Sequence, residues 1–315
     1  MTNPATRPAP AHALAPRLEL GPVTVHFGEK NGKYPDGNQV VVTGADSRVL
    51  FDTPLVSNRL GAALDGADLL ILGHVHEDHM AGVHRFPRLP LWAPQEDLAA
   101  AQSLPGMLRH YGYSPATNER MVAKITREFH FTPRPDAIGY ADGRVWELGG
   151  GVSVRAIHMP GHTRGHSVLL VEPGGIAFIG DIDLSGFGPY YGDACSDLAQ
   201  FRTTLARMER LDARVWITFH HKGVIGERET FLTLLRAFRE KIDRRAAAIL
   251  AALGPAGRTL EELVAQRFMY PPGYEDVFVE DAERKCLREH LAELLADGRA
   301  RLEDGRYRAA GRAAG

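Results

Sequence analysis

Cysteine is scarce in this chain, since Cys195 and Cys286 are the only two among 315 residues. Two cysteines do not make a disulfide framework in a chain of this length, so we interpret both as free thiols or buried small hydrophobic residues. Long apolar runs are also absent, and we therefore expect no membrane-spanning helix. The Pro- and Ala-rich beginning has no apolar segment typical of a secretory signal. We interpret residues 1–17 as a disordered tail and expect a cytoplasmic protein.

An excess of charge of either sign is absent as well. The 37 Lys and Arg residues nearly balance 39 Asp and Glu residues, which gives a formal net charge of -2. This balance provides no overall attraction to nucleic acid or to an anionic membrane. Apolar residues make up 44% of the chain and charged residues 24%, which is ordinary for a soluble globular protein. The length suits one large domain, or one domain with an appendage.

What the sequence does contain, over residues 18–226, is a succession of predicted strands and helices. β-branched and apolar runs such as QVVVTG, ADLLILGH, HSVLLVE and GIAFIGD predict strands, and ARVWITFHH predicts another. SDLAQFRTTLARMERL predicts an amphipathic helix with Ser196 or Asp197 as its N-cap. Residues 102–140 are less regular, and we interpret them as an insertion over an active site. The pattern predicts a mixed α/β domain.

Residues 227–315 have a different pattern, because three helical segments precede a short hairpin. The hairpin, ARLEDGRYRAA, has its turn at Asp304-Gly305. This order is that of a small winged-helix unit, so we predict a helical, winged-helix-like C-terminal domain.

The densest group of polar residues is HVHEDH, residues 74–79, directly after the apolar run DLLILG. In an extended segment alternate side chains share a face, which places His74, His76 and Asp78 together and leaves Glu77 pointing away. His79 follows at the turn. Imidazole and carboxylate are ligands that Zn²⁺ accepts. The hexapeptide therefore predicts a metal site, with one ion on His74 and His76 and a second on Asp78 and His79. A solvated charged loop is the alternative.

Further ligand-type residues follow other predicted strands. His158, His162 and His166 lie in VRAIHMPGHTRGHSVLL, Asp181 and Asp183 in GIAFIGDIDLSG, and His220 and His221 in VWITFHHKG. Loops at strand ends converge in α/β folds and carry the chemistry. We therefore expect several of these residues to meet the hexapeptide.

The motif order HxHxDH, PGHTRGH, FIGD and a strand that ends in His resembles the metallo-β-lactamase-fold hydrolase superfamily, and its glyoxalase II-like branch most of all. The resemblance covers about residues 20–226 and implies a four-layer αββα sandwich. It implies a first metal on His74, His76 and His162. A second metal would lie on Asp78, His79 and a late histidine, with Asp181 bridging both.

The resemblance leaves two candidates for the late histidine. Setting HKGVI on the family pattern favours His221 as the ligand, with His220 as its supporting neighbour. It also gives His166 a supporting position beside the metals rather than a ligand's role.

Two such metals imply metal-assisted hydrolysis, in which a bridging hydroxide attacks a carbonyl carbon or a phosphorus. Asp78 would be both ligand and catalytic residue, because it would orient this nucleophile. We expect two Zn²⁺ ions per chain, with iron or manganese as alternatives, and a thioester or another small acyl ester or lactone as substrate.

Other members of the superfamily define the alternatives. Asp181 argues against a true β-lactamase, and His76 argues against the di-iron relatives, which resemble this motif with Glu in its place. A mononuclear-iron persulfide dioxygenase uses much the same ligand motif and stays an alternative. Phosphodiester or RNA cleavage also stays an alternative, because the C-terminal region resembles the winged-helix tail of β-lactamase-like protein 2 relatives.

The surroundings of the metals are less well defined by the sequence. The segment SGFGPYYGDACSDL follows Asp181, so Phe187, Tyr190 and Tyr191 are candidate substrate-binding residues. In the C-terminal region acidic residues are interleaved with basic ones, which disfavours nucleic acid as the partner. We expect this region to pack across the pocket mouth or to mediate a homodimer.

Overall fold

A computed structural model describes residues 16–310 of the chain. The prediction of a disordered tail over residues 1–17 therefore falls largely outside the described residues. Its last residue, Arg17, already begins the first strand.

Thirteen of the described strands form two sheets. The first sheet contains seven strands in chain order: β1 Arg17–Leu20, β2 Val23–His26, β3 Gln39–Thr43, β4 Arg48–Phe51, β5 Leu69–Ile71, β6 Leu91–Pro94 and β7 Ile138–Tyr140. The second sheet has the order β13-β12-β11-β10-β9-β8. Its strands are β8 Val145–Gly149, β9 Val152–His158, β10 Ser167–Glu172, β11 Ile176–Phe178, β12 Val215–Ile217 and β13 Val224–Ile225.

The two sheets face each other across an apolar layer. Val40, Val49 and Phe51 of the first sheet share this layer with Leu169 and Phe178 of the second. The rings of Phe51 and Phe178 lie 5.8 Å apart, between their centroids. Alternate residues of a strand point to opposite faces of its sheet. The residues that point outward, such as Val41, Leu50 and Leu170, are also apolar, so the outer face of each sheet must be covered by other elements.

Helices provide that cover. They are α1 Leu98–Gln102, α2 Leu104–Tyr111, α3 Pro115–Glu128, α4 Leu198–Met208, α5 Arg228–Leu253, α6 Leu260–Val264 and α7 Val279–Ala296. Leu50, on the outer face of the first sheet, belongs to the same apolar cluster as Met107 of α2 and Ile125 of α3. On the second sheet, Trp216 stacks on Phe231 of α5, with ring centroids 4.2 Å apart. The predicted αββα arrangement is confirmed, and Asp197 is the N-cap of α4 because its side chain accepts a hydrogen bond from Gln200 N.

The C-terminal region consists of the second half of α5, then α6, α7 and the hairpin β14 Ala300–Glu303 and β15 Arg306–Ala309. Thr259 and Glu262 form a capping box at the start of α6. Leu253, Leu263 and Leu291 belong to a separate small apolar core. The order of elements matches the prediction, while the name winged helix and the boundary at residue 226 stay predictions. None of the helices described within residues 16–310 is long and apolar enough to cross a membrane.

Candidate metal centre

Three histidines from distant parts of the chain bring their ring nitrogens together. His74 and His76 lie on the loop after β5, and His162 lies on the loop between β9 and β10. His74 Nε2 is 3.2 Å from His76 Nδ1, and His162 Nε2 is 3.2 Å and 3.1 Å from these two atoms. All three side chains are at most 5% exposed. The predicted first group therefore assembles.

A second group lies beside the first and contains Asp78, His79 and His220. His220 Nε2 is 2.9 Å from Asp78 Oδ2, and His79 Nε2 is 4.0 Å from the same oxygen. The side chains of His79 and Asp78 are 0% and 5% exposed. This group also offers two imidazole nitrogens and one carboxylate oxygen to a single point.

Asp181 lies between the two groups. Its Oδ1 atom is 3.1 Å from His79 Nε2, while its Oδ2 atom is 3.4 Å from His162 Nε2 and 3.8 Å from His220 Nε2. The carboxylate thus directs oxygen atoms to both groups, which is the position that a bridging ligand needs.

The second nitrogen of several of these rings is held by a buried partner. His162 Nδ1 is 3.0 Å from the carbonyl oxygen of Tyr190, and His220 Nδ1 is 2.8 Å from that of Gly32. His79 Nδ1 is 2.8 Å from Asp52 Oδ2. When the N–H of a ring points to such an acceptor, the other nitrogen keeps its lone pair for a metal.

Burial and neighbouring charges act in opposite directions on these groups. Burial lowers the pKa of His162 to about 3, so its ring is neutral at neutral pH. Burial also opposes the charge on His220, but the carboxylates of Asp181 and Asp78 raise its pKa to about 9. Carboxylates that stabilise a proton at this position would stabilise a divalent cation as well.

The donor set and its spacing fit a transition-metal centre. Ligand nitrogens about 2.0–2.1 Å from a tetrahedral Zn²⁺ lie roughly 3.3 Å from one another, close to the distances within the first group. The three facing ring nitrogens cannot all be paired by hydrogen bonds, because His162 Nε2 carries no proton when His162 Nδ1 donates to the carbonyl oxygen of Tyr190. A cation that these nitrogens share would remove that conflict.

The structure corrects the choice of late histidine, for which the family pattern favoured His221. The ring of His221 points away from the second group, since its Nε2 atom is 3.6 Å from Asp183 Oδ2 and its side chain is 30% exposed. The strand β12 ends at Ile217, and His221 has a φ of 60°. The alternation of side chains in a strand therefore does not apply to His220 and His221, and the family pattern does not predict which ring points inward. In the structure it is His220 whose ring points to Asp78.

His166 lies beside Asp181, close to both candidate ligand groups. Its Nε2 atom accepts a hydrogen bond from the backbone N–H of Asp181 at 3.3 Å, and its Nδ1 atom is 3.0 Å from Met159 O. Burial lowers the pKa of His166 to about 4, which keeps the ring neutral and able to accept. His166 thus fixes the backbone that carries Asp181.

Two acidic residues outside the predicted site hold the histidines. Asp52 is fully buried beside His79, and Asp193 Oδ2 lies 3.1 Å from His76 Nε2. Asp52 directly follows the apolar run VLF of β4, so it had the same strand-end signal as Asp181. Asp193 lies in an irregular loop, where the sequence has no comparable signal.

Above the ligand groups lies a cavity of about 340 Å³. Its lining includes His76, Asp78, His162, Asp181 and His220. The rest of its wall is predominantly aromatic, and those rings belong to Tyr34, Tyr111, Tyr113, Phe187, Tyr190, Tyr270, Tyr274 and Phe278. A concave apolar pocket that contains a few converging polar groups is typical of a small-molecule site.

Glu77, which strand alternation placed outside the site, also lines this cavity. Its side chain accepts a hydrogen bond from the Tyr111 hydroxyl at 2.6 Å and one from the Tyr34 hydroxyl at 3.2 Å. The segment 74–79 is irregular and ends in a turn rather than forming a strand. Glu77 therefore turns inward as well, toward the aromatic side of the cavity.

Of the three aromatic candidates after Asp181, Phe187 and Tyr190 line the cavity, but Tyr191 does not. The Tyr191 side chain is fully buried on the other side of the loop, where its hydroxyl lies 2.9 Å from His290 Nε2 and 3.1 Å from Arg245. The prediction that Tyr191 contacts substrate is therefore wrong, and its role is to pack the loop against α5 and α7.

A family model described as the metallo-beta-lactamase superfamily matches residues 34–237. An atrochrysone carboxyl ACP thioesterase of Pseudocercospora fijiensis is 27% identical over 53% of this chain, which spans only 49% of that protein. A lactamase-like protein of Emericella nidulans is 26% identical, with 85% of this chain and 78% of that protein covered.

Solved structures show the same fold. A beta-lactamase domain protein from Burkholderia ambifaria has a TM-score of 0.68 at 18% identity, with 97% of this chain and 96% of that chain covered. A metallo-beta-lactamase family protein from Thermus thermophilus has a TM-score of 0.65 at 22% identity, with 87% and 94% covered.

Proposed function

The chain belongs to the metallo-beta-lactamase superfamily, and we propose that within it the protein is a binuclear zinc hydrolase of thioesters or other small acyl esters and lactones. The observation that carries this proposal is the pair of ligand groups joined by Asp181 at the base of an aromatic cavity. His74, His76 and His162 would hold one ion, and Asp78, His79 and His220 the other. Asp181 would bridge them.

Bound divalent metals would supply Lewis acidity, which lowers the pKa of water and polarises an acyl carbonyl. The protein's own residues would position the reactants. Asp78 faces the cavity and lies 2.9 Å from His220 Nε2, so its carboxylate can be both ligand and orienting group. Phe187 and Tyr190 would exclude bulk water from the acyl group.

The charges of the cavity favour an acyl substrate over a phosphodiester. Glu77, Asp183 and Asp193 line the cavity in addition to the ligand carboxylates, whereas Lys33 is the only Lys or Arg among the described residues of the lining. A polyanionic RNA backbone would be repelled by this surface. The thioesterase names among the relatives support the same choice at low identity. That the protein acts in the cytoplasm stays a prediction.

The test is a hydrolysis panel with the zinc-reconstituted protein. We expect turnover of a model thioester to exceed that of a lactone, a β-lactam and a phosphodiester, with Asp181→Ala as the inactive control. Metal analysis should give about two zinc ions per chain. One iron per chain together with oxygen uptake on a persulfide would instead establish the dioxygenase alternative.

A further inference from the structure

One wall of the cavity comes from the segment between α6 and α7, residues 265–278, beyond the region that the family model matches. Tyr270, Tyr274 and Phe278 of this segment line the cavity. The rings of Tyr270 and Tyr274 are stacked, with centroids 5.2 Å apart and planes 11° apart. We call residues 265–278 the aromatic segment.

The aromatic segment continues a row of rings from the catalytic body. Phe278 is stacked on Tyr113 with an interplanar angle of 13°, and Tyr113 is stacked on Tyr111 with an angle of 6°. The rings of Tyr270 and Phe278 meet at 62°, so this side of the cavity has two sets of stacked ring faces at an angle to each other. Such faces suit a flat π-system, which can stack with an offset or meet ring edges.

Three of the phenolic hydroxyls around this side are already engaged within the protein. Tyr113 and Tyr190 both donate to Asp193, and Tyr111 donates to Glu77. Tyr113, Tyr111 and Tyr190 therefore present aromatic surface rather than hydrogen-bond donors. A substrate gains from this surface by ring contact more than by polar contact.

Glu283 of α7 fixes the aromatic segment in place. Its carboxylate is fully buried and accepts hydrogen bonds from the backbone N–H groups of Phe268, Met269 and Tyr270, at 3.0, 2.9 and 2.7 Å. Three charge-assisted hydrogen bonds to consecutive amides hold the backbone of Tyr270 firmly. The wall is therefore a built part of the cavity.

We propose that the aromatic segment, fixed by Glu283, selects substrates whose acyl group is planar and aromatic over saturated acyl groups of the same ring size. This inference rests on the proposed hydrolysis for its kinetic readout. It assigns Tyr270 to specificity and Glu283 to the positioning of Tyr270.

The experiment compares the 2-naphthoyl and decahydro-2-naphthoyl thioesters of one thiol. We expect kcat/KM to favour the naphthoyl ester by about tenfold or more in the wild type, since ring stacking adds to the apolar contact that both acyl groups make. Tyr270→Leu should reduce the ratio of the two kcat/KM values toward one without changing the metal content. Tyr270→Phe, which keeps the ring, should retain the preference.

Glu283→Gln tests the anchor, because it keeps the shape but removes the charge that three amides share. We expect a higher KM for the naphthoyl ester, and a smaller change in its kcat. The KM of the saturated ester should also change less. Glu280→Gln is the matched control, since Glu280 is exposed on the same helix. If the Glu283 and Glu280 variants have the same KM for the naphthoyl ester, Glu283 does not position Tyr270.

Calorimetric binding of the two product acids separates this inference from the proposed function. If no thioester, acyl ester or lactone is hydrolysed, the proposed function fails, but tighter binding of 2-naphthoate that Tyr270→Leu abolishes still supports the selective wall. If thioesters are hydrolysed and neither kinetics nor binding distinguishes the two acyl groups, the inference is overturned and the hydrolase proposal stands.

Discussion

The two sides of the cavity are built in different ways. The ligand side consists of imidazoles and carboxylates that follow strands of both sheets, and several of the imidazoles are fixed by a buried partner such as Asp52 or a backbone carbonyl. The aromatic side consists of rings from the loop between β2 and β3, α2, the loop before α3, the loop after Asp181 and the aromatic segment. The sandwich thus sets the chemistry, and added segments shape the space in which it acts.

Asp193 connects the two sides. One of its oxygens lies 3.1 Å from His76 Nε2, and the other accepts hydrogen bonds from Tyr113 and Tyr190. A change in the position of either tyrosine would therefore reach a proposed metal ligand through one carboxylate. The two sides come from different parts of the chain, but Asp193 connects them in the folded protein.

The largest effect that distinguishes the sides is expected at the late histidine. His220→Ala removes a nitrogen from the second group and should lower the metal content by about one ion and the activity by about a hundredfold or more. The measurement is metal analysis by mass spectrometry together with kcat/KM.

His221→Ala is the matched control for His220→Ala, because the two residues are neighbours and only His220 reaches Asp78. It should keep both ions and most of the activity. Loss of a metal in His221→Ala, with both retained in His220→Ala, would return the ligand to the position that the sequence favoured.

The ligand side could be largely predicted from the sequence, because each ligand follows a strand and strand ends converge. HVHEDH, His162 and Asp181 meet as expected. The choice between His220 and His221 failed because the chain leaves the extended conformation at Ile217, three residues before the pair. Which of the two histidines points inward then depends on the conformation of the turn, and the alternation of strand residues does not predict it.

The aromatic side could not be predicted in the same way. Tyr190 and Tyr191 are adjacent, yet one lines the cavity and the other is buried against α5 and α7. Tyr270 lies at the cavity in an irregular segment, and its backbone N–H donates to Glu283, thirteen residues later. Contacts between such irregular segments depend on tertiary packing, which has no local periodicity.

A smaller effect is expected for the carboxylate behind a ligand. Asp52→Asn keeps the size of the side chain but removes the charge that lies 2.8 Å from His79 Nδ1. Partners of this kind are worth about 10–100-fold in metal affinity. Chelator competition should show weaker zinc binding, while Asp212→Asn, an exposed substitution, should bind zinc like the wild type. Equal affinities for the two variants would show that Asp52 only fills space.

The smallest effect is expected where the C-terminal region holds the cavity wall through the loop after Asp181. Arg245 of α5 is 5% exposed and donates hydrogen bonds to the carbonyl oxygens of Phe187, at 2.7 Å, and Pro189. Between them and the buried Tyr191 lies Tyr190, whose carbonyl oxygen faces His162 Nδ1. Loss of the guanidinium leaves these carbonyls without their donor, at a cost of about 1–3 kcal/mol in the free energy of unfolding.

Arg245→Met should therefore lower the melting temperature and raise KM by about fivefold, since the loop that carries Phe187 and Tyr190 loses its attachment while the metal ligands stay on the sandwich. Arg244→Met is the control on the same helix, because Arg244 is exposed and pairs only with Glu240 among the described residues. Thermal unfolding and substrate titration of the two variants decide the matter. If Arg245→Met lowers the melting temperature but leaves KM unchanged, α5 stabilises the loop without shaping the site. If KM rises, the C-terminal region both supplies rings of the cavity wall and holds the loop that carries Phe187 and Tyr190 in position.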